Sequence, residues 1–337
     1  MSIKDFQNGF VLGLTTGGVT ESGDNSKIGY LVNRIDESEV LESTDGTAAE
    51  KVNALIYKSK THNWFYDTYI KDRTSVTVFQ KDTDVTTLPL FDLSHLTSAA
   101  SLLSGCSNLE EVPPFDLSNC TSFYYTFNGL KKITTIPLIN TSNSEDFKYT
   151  FYGCTSLTTI PQINTSKGTN FSSMFYGCTS LTTIPQINTS KGTIFSSMFY
   201  GCTALKEVPV LNTSSGTDFN KMFQNCSALE TIHGIDVSSV TSISGLSSMF
   251  ASCSNLKNYT PVGSIGVNFN MQYQHNLTVD SAKNIIRALV NYTDTENANK
   301  FYLYLSATVW ELLDAEGNTA PNDVTWKEYV ESIGWNY

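Results

Sequence analysis

Apolar and polar positions alternate through the middle of this chain on a period of 24 residues. Proline marks the same point of successive units at Pro89, Pro113, Pro137, Pro161, Pro185 and Pro209, and His233 takes its place in the next. Seventeen residues after each proline stand Cys106, Leu130, Cys154, Cys178, Cys202 and Cys226. The last unit reaches Cys253 only after a three-residue insertion between Asp236 and Gly245. The tract Ser156 to Gly177 returns as Ser180 to Gly201 with one change, Asn170 to Ile194.

Within a unit the pattern predicts three pieces. A short strand carries the inward residues Leu109/Val112, Leu157/Ile160, Leu181/Ile184 and Leu205/Val208. A turn follows, because an apolar residue after the proline leads into Asn or Asp, Thr-Ser and often Gly. Then Phe171, Met174, Phe175 and Cys178 recur at i, i+3, i+4 and i+7, the spacing of one face of a helical turn. A period in this range is the signature of stacked units that cannot bury their apolar face alone. The fold class expected is therefore a leucine-rich repeat solenoid, with parallel strands and short helical turns, of about seven 24-residue repeats over 82–261.

The period is absent from both flanks, which read as covers for the stack's ends. Residues 1–81 form a mixed N-terminal attachment or cap region, with a helix expected from Thr44 to Lys58, an aromatic cluster at Trp64, Phe65, Tyr66 and Tyr69, and an alternating strand from Ser75 to Gln80. Residues 262–337 form an α/β C-terminal cap. Its elements are a helix from about Val279 to Tyr292, a strand from Lys300 to Ser306, a helix over Val309 to Ala315 and a last helix from about Val324 to Ser332.

Charge narrows the partners: 21 basic residues against 32 acidic give a net charge of −11, which repels nucleic acid and anionic membrane surfaces. The longest apolar run, Phe10 to Leu14, is too short to span a bilayer, and the first residues do not read as a secretory signal. Six of the seven cysteines (Cys106, Cys154, Cys178, Cys202, Cys226 and Cys253) hold one interior position of successive units. They are expected to be a structural ladder of small apolar side chains rather than disulfides or metal ligands, with Cys120 a free thiol outside it.

The chain holds no HExxH, GxSxG, P-loop or EF-hand pattern, and His62, His95, His233 and His275 fall in different elements. The glycines Gly9, Gly13, Gly17 and Gly18 read as a packing or assembly segment. No catalytic residue, cofactor or metal site is expected, and the chain is expected not to be an enzyme. The sequons at Asn140, Asn164, Asn188 and Asn212 read as by-products of the turn, with stacked Asn or Thr side chains satisfying backbone groups.

The unit MFxGCTSLTTIPxINTS, seen from Met174 to Ser190 and with small changes from Met198 to Ser214, resembles the BspA-type (Treponema pallidum-like) leucine-rich repeat of bacterial surface proteins. That resemblance implies a curved solenoid with a parallel sheet and a role in adhesion to proteins or cell surfaces, and it brings no catalytic residues. The opening DFQNGFVLGLTTGGV is similar to leucine-rich repeat proteins of phages of gut bacteria. Together these imply a phage virion structural protein, a tail-fibre, decoration or adhesin subunit. It would fold in the host cytoplasm, attach to other virion proteins through its N-terminal region, and bind a host cell-surface protein or glycan. A trimer is the expectation by analogy with virion attachment proteins. The alternatives are a bacterial cell-surface adhesin and a structural spacer.

Two outward stripes are the candidate binding residues. One is polar, Thr159 and Thr183 with Gln162 and Gln186 beyond the prolines; the other is aromatic, Tyr152, Tyr176 and Tyr200. Tyrosines in a row offer contact area at small entropic cost.

Overall fold

Backbone hydrogen bonds among the described residues divide between partners about three residues apart, within one turn, and partners about 24 apart, from one turn to the next. A computed structural model describes residues 67, 70–77, 79–83, 85–88, 90–293, 295–315 and 320–337. The helix expected at Thr44 to Lys58, the aromatic cluster Trp64 to Tyr69, the glycines near the start, His62 and Pro89 lie outside the described residues.

One central turn shows the wiring. Thr158 and Thr169 donate their N–H groups back to Thr134 O and Glu145 O, while Phe171, Ser173, Phe175 and Gly177 donate forward to Ile194, Ser196, Met198 and Tyr200. Their neighbours Met174, Tyr176 and Cys178 donate instead to the carbonyls three residues back, so alternate amides serve the turn itself and the next one. Parallel bridges mark the register: Ser122 with Asp146, Asp146 with Asn170, Asn170 with Ile194, and Ile194 with Asp218.

This wiring corrects two expectations. The stretch from Phe171 to Cys178 is a chain of overlapping turns and not a helical turn, because Ser173 (φ 52°) and Gly177 (φ 68°) are left-handed, as are their counterparts in the turns before and after. A left-handed residue at every fourth position aims alternate amides out of the turn, which a helix cannot do, yet it leaves i, i+3, i+4 and i+7 on the inner side. The expected strands reduce to single contacts in most turns, because each proline lacks the N–H that a ladder needs. Where His233 replaces the proline, β1 (Thr231–Asp236) forms and pairs in parallel with β2 (Asn258–Val262), whose Pro261 stands opposite Ile235 just past a shift in register.

The expected strand from Ser75 to Gln80 is likewise replaced by turns over its described residues, with Gln80 N–H donating to Thr77 O. These residues already belong to the stack. Thr74 O accepts from Thr97 and Ser98, and Phe79 O accepts the Cys106 thiol.

Inside, like side chains lie on like. Phe127, Phe151, Phe175, Phe199, Phe223 and Phe250 stack with ring centroids 5.4–5.8 Å apart, and Phe123, Phe147, Phe171, Phe195 and Phe219 form a second column at 5.3–6.2 Å. Gly168 gives the second column its room: a Cβ there would stand 2.6 Å from Phe171 Cζ.

All seven cysteines are buried and free. Each ladder thiol donates to a phenylalanine carbonyl of the preceding turn: Cys106 to Phe79, Cys154 to Phe127, Cys178 to Phe151, Cys202 to Phe175, Cys226 to Phe199 and Cys253 to Phe223, at 2.8–3.1 Å. The thiol is thus a donor for an interior carbonyl as well as an apolar filler. Cys120 makes a similar contact, to Leu96 O at 3.3 Å. The insertion before Cys253 is taken up by a 3-10 turn, Ile243–Leu246, so that Phe219 still reaches Gly245 O.

At the C-terminal end the column is closed by different chemistry. Phe250 O, lacking a further thiol, accepts from the buried amide of Gln274 at 2.6 Å, and Phe269 meets Phe250 edge-on. The rest of the cap is a three-stranded parallel sheet of β3 (Phe269–Met271), β4 (Phe301–Leu305) and β5 (Trp335–Asn336), in that order. With it come helices α1 (Val279–Arg287), α2 (Ala307–Ala315) and α3 (Trp326–Ser332). Thr278 caps α1 and Thr325 with Glu328 forms a capping box on α3. α1 ends earlier than its apolar stripe suggests, because the next residues leave the helix to bond strandwise: Ile265 N–H donates to Ala288 O and Val290 N–H to Ile265 O.

Burial pushes the thiols up from 9.0, to about 12 for Cys106, Cys154 and Cys253 and well above the ordinary value for Cys178, Cys202 and Cys226. A raised folded-state value favours the neutral form, so its stabilisation is complete below the unfolded value and lost as pH climbs past it. The urea midpoint should therefore fall as pH rises from 9.0 toward 12, and fall less steeply in a C178A/C202A variant. Equal slopes for the two proteins would contradict this.

Candidate functional site

The residues just after the proline point away from the core and form a column along one face: Leu90, Pro114, Leu138, Gln162, Gln186, Val210, Gly234 and Val262. Leu138 is 71% exposed and Val210 58%, unusual values for aliphatic side chains in a folded chain. Behind this column the turn descends into a groove of about 980 Å³, lined by Gln162 to Ser166, Gln186 to Ser190 and Val210 to Ser214, and ending at Gly234, Asp236 and Val262.

The groove's floor is built by the tripeptide Asn-Thr-Ser. Asn164, Asn188 and Asn212 accept the N–H of the serine two residues on through Oδ1, closing a local turn. The buried threonines between them reach forward: Thr141 donates to Asn164 O, Thr165 to Asn188 O, Thr189 to Asn212 O and Thr213 to Asp236 O, at 2.6–3.0 Å. Asp236 returns a bond from its N–H to Thr213 Oγ1 at 2.7 Å. Asn fixes the corner and Thr fixes the stacking, which leaves the Asn amide nitrogens along the floor.

Of the sequence candidates, Gln162 and Gln186 line this groove. Their amides are committed to the scaffold, Gln162 Nε2 donating to Gln186 O and Gln186 Nε2 to Val210 O at 2.6 Å. Thr159 and Thr183 are exposed but lie outside the groove's lining, their hydroxyls making only long contacts to the next residue's carbonyl, at 3.4 and 3.5 Å.

The tyrosines occupy another face. Tyr152, Tyr176 and Tyr200 stack ring on ring at 4.6 and 4.4 Å, nearly parallel, so both faces of Tyr176 and one face of each outer ring are covered by one another. Burial against its neighbours raises the phenol of Tyr176 above its ordinary value. The exposed apolar members of the groove column, Val210 and Val262, went unsingled by sequence reasoning; their signal was the position shared with Gln162 and Gln186.

The remaining chemistry is dispersed. His95 Nε2 lies 3.0 Å from Ile70 O, while His233 and His275 are exposed. Among the described residues no group of three or more His, Cys, Asp or Glu could hold a metal ion, and no helix is long and apolar enough to cross a membrane.

Thr189→Val keeps the shape but strips the donor for Asn212 O, and should lower stability by about 1–3 kcal/mol. Thr183→Val, on the exposed side, should change it by no more than about 0.5 kcal/mol. Urea titration of both variants checks the contrast, and equal effects would refute the division of labour.

No curated protein matches the chain. A family model described as "Mycoplasma protein of unknown function, DUF285" matches it twice in overlapping stretches, residues 74–183 and 158–262. These stretches together span more than half of the sequence, and the chain belongs to this family.

Proposed function

We propose that the chain is a non-enzymatic surface-binding protein. In this reading the stacked turns are a leucine-rich repeat solenoid of BspA type, and the groove beside Gln186 and Val210 takes an extended segment of a partner protein on a bacterial or mucosal surface. The observation that carries it is the exposed column of Leu138, Val210 and Val262 set against a floor of Asn side chains. The column has one member per turn, roughly every 4.8 Å, apolar at Val210 and Val262, beside Asn groups at the same spacing, and so offers an extended polypeptide both apolar contacts and donors.

The setting we propose is a phage particle, as a tail-fibre, decoration or adhesin subunit. The likeness of the opening segment to phage repeat proteins supports that setting. A bacterial cell-surface adhesin is the second reading, favoured by the two overlapping matches to one repeat family and their fit with the BspA-type resemblance.

Labelled full-length chain should bind whole bacterial cells or a mucin-coated surface. A V210D/V262D variant should bind at least about tenfold more weakly, and a Y152A/Y176A/Y200A variant as well as the parent. Retention of binding by V210D/V262D would overturn the assignment of the groove, and absence of antibody label on purified particles would overturn the virion setting.

A further inference from the structure

A second concavity lies on a different face, where the large side chains of two columns shrink to serine and then grow again. One column reads Tyr124, Lys148, Ser172, Ser196, Asn220; its neighbour reads Tyr125, Tyr149, Ser173, Ser197, Lys221. The step from tyrosine and lysine to serine opens a pit of about 590 Å³, two turns long, within the size range of small-ligand sites, roughly 300–1,000 Å³. None of its lining residues belongs to the groove described above.

The pit is polar, and while Asn220, Ser242 and Ser244 spend their side chains on scaffold hydrogen bonds, its central serines do not. Ser172 and Ser173 are 94% and 92% buried, from exposures of 6% and 8%, and both line the pit. Neither hydroxyl has a hydrogen-bond partner among the described residues, and neither oxygen is sealed from solvent, so both open onto the pit. Ser196 and Ser197 line the pit one turn on and are half-buried.

At one end Tyr149 stacks on Tyr125 at 4.4 Å, and Lys148 Nζ lies 5.0 Å over the Tyr149 ring. At the other end stand Asn220 and Lys221. Neither lysine forms an ion pair among the described residues. Asp218, the carboxylate in the lining, has Oδ1 occupied by Asn220 N–H at 3.0 Å.

Hydroxyls in a row, one aromatic ring edge and two ammonium groups at opposite corners form a donor-rich, locally cationic pocket in a chain that is anionic as a whole. We infer that this pit binds a sugar residue carrying an acidic substituent, with Ser172, Ser173, Ser196 and Ser197 meeting its hydroxyls and the ammonium group at one end, Lys148 or Lys221, meeting its anionic group. This goes beyond the groove reading and is independent of it, since the two concavities share no residue.

Calorimetric titration of the full chain with sialyllactose, lactose and inorganic sulfate tests the inference. Sialyllactose should bind at least about tenfold more tightly than lactose, and K148M/K221M should weaken it by at least about tenfold. Ser173→Tyr should abolish binding by extending the Tyr125 and Tyr149 column into the pit. Tyrosine already occupies that left-handed position at Tyr125 (φ 56°) and Tyr149 (φ 59°), so S173Y is compatible with the fold, and an unchanged urea midpoint confirms it. V210D, which alters the groove, should leave sugar binding intact. Equal affinity for the two sugars, full competition by sulfate alone, unchanged binding by S173Y, or no binding of sialyllactose would each overturn the proposal.

Discussion

The structure depends on satisfying the interior carbonyls of each turn with donors from a neighbouring turn. A flattened coil of 24 residues buries backbone polar groups that water cannot reach, and an unpaired one costs as much as a lost hydrogen bond. In the central units the sequence meets this demand twice with side chains: a thiol for the phenylalanine carbonyl, as Cys178 does for Phe151, and a hydroxyl for the corner carbonyl, as Thr189 does for Asn212. Both donors act between turns. A slip of one residue in the spacing would unpair both ladders and turn the phenylalanine columns out of line, so the period is held by hydrogen bonds as much as by apolar burial.

Stacking in register also determines what the surface can be. Each outward position becomes a column, and a column's character changes only where the sequence changes from one turn to the next. Three identical tyrosines give a stack whose inner faces are used up. A change from tyrosine to serine leaves a pit, and a change from glutamine to valine leaves an exposed apolar patch beside a polar floor. Sites on such a chain are therefore to be sought at breaks in the repeat, not in its most regular part.

The period, the inward set of Leu, Ile, Phe and Cys, and the α/β cap were legible in the sequence because each is a matter of spacing between like residues. The path of the backbone between Phe171 and Cys178 was not. Inward residues at i, i+3, i+4 and i+7 suit a helix and a series of left-handed turns equally, and only the destination of alternate amides separates them. The prolines bear on the strands: a residue without N–H in an expected strand removes a bond that the ladder would use. Gln274 could not be foreseen as the donor that closes the phenylalanine column, since it lies beyond the last unit and its role depends on where the cap folds back. Of the two outward stripes, Gln162 and Gln186 line the groove, and the ring-on-ring stacking of Tyr152, Tyr176 and Tyr200 depends on side-chain orientation that spacing alone does not give.

If register is what holds the molecule, the most direct test is to excise a whole unit and compare it with half of one. Deleting 157–180 joins Ser156 to Leu181 and restores every column, so the shortened chain should unfold in a single cooperative urea transition with its six remaining thiols protected from modification. Deleting 157–168 removes half a turn and should leave a chain without that transition and with reactive thiols. A half-turn deletion that folds as well as the whole-turn deletion would contradict the account.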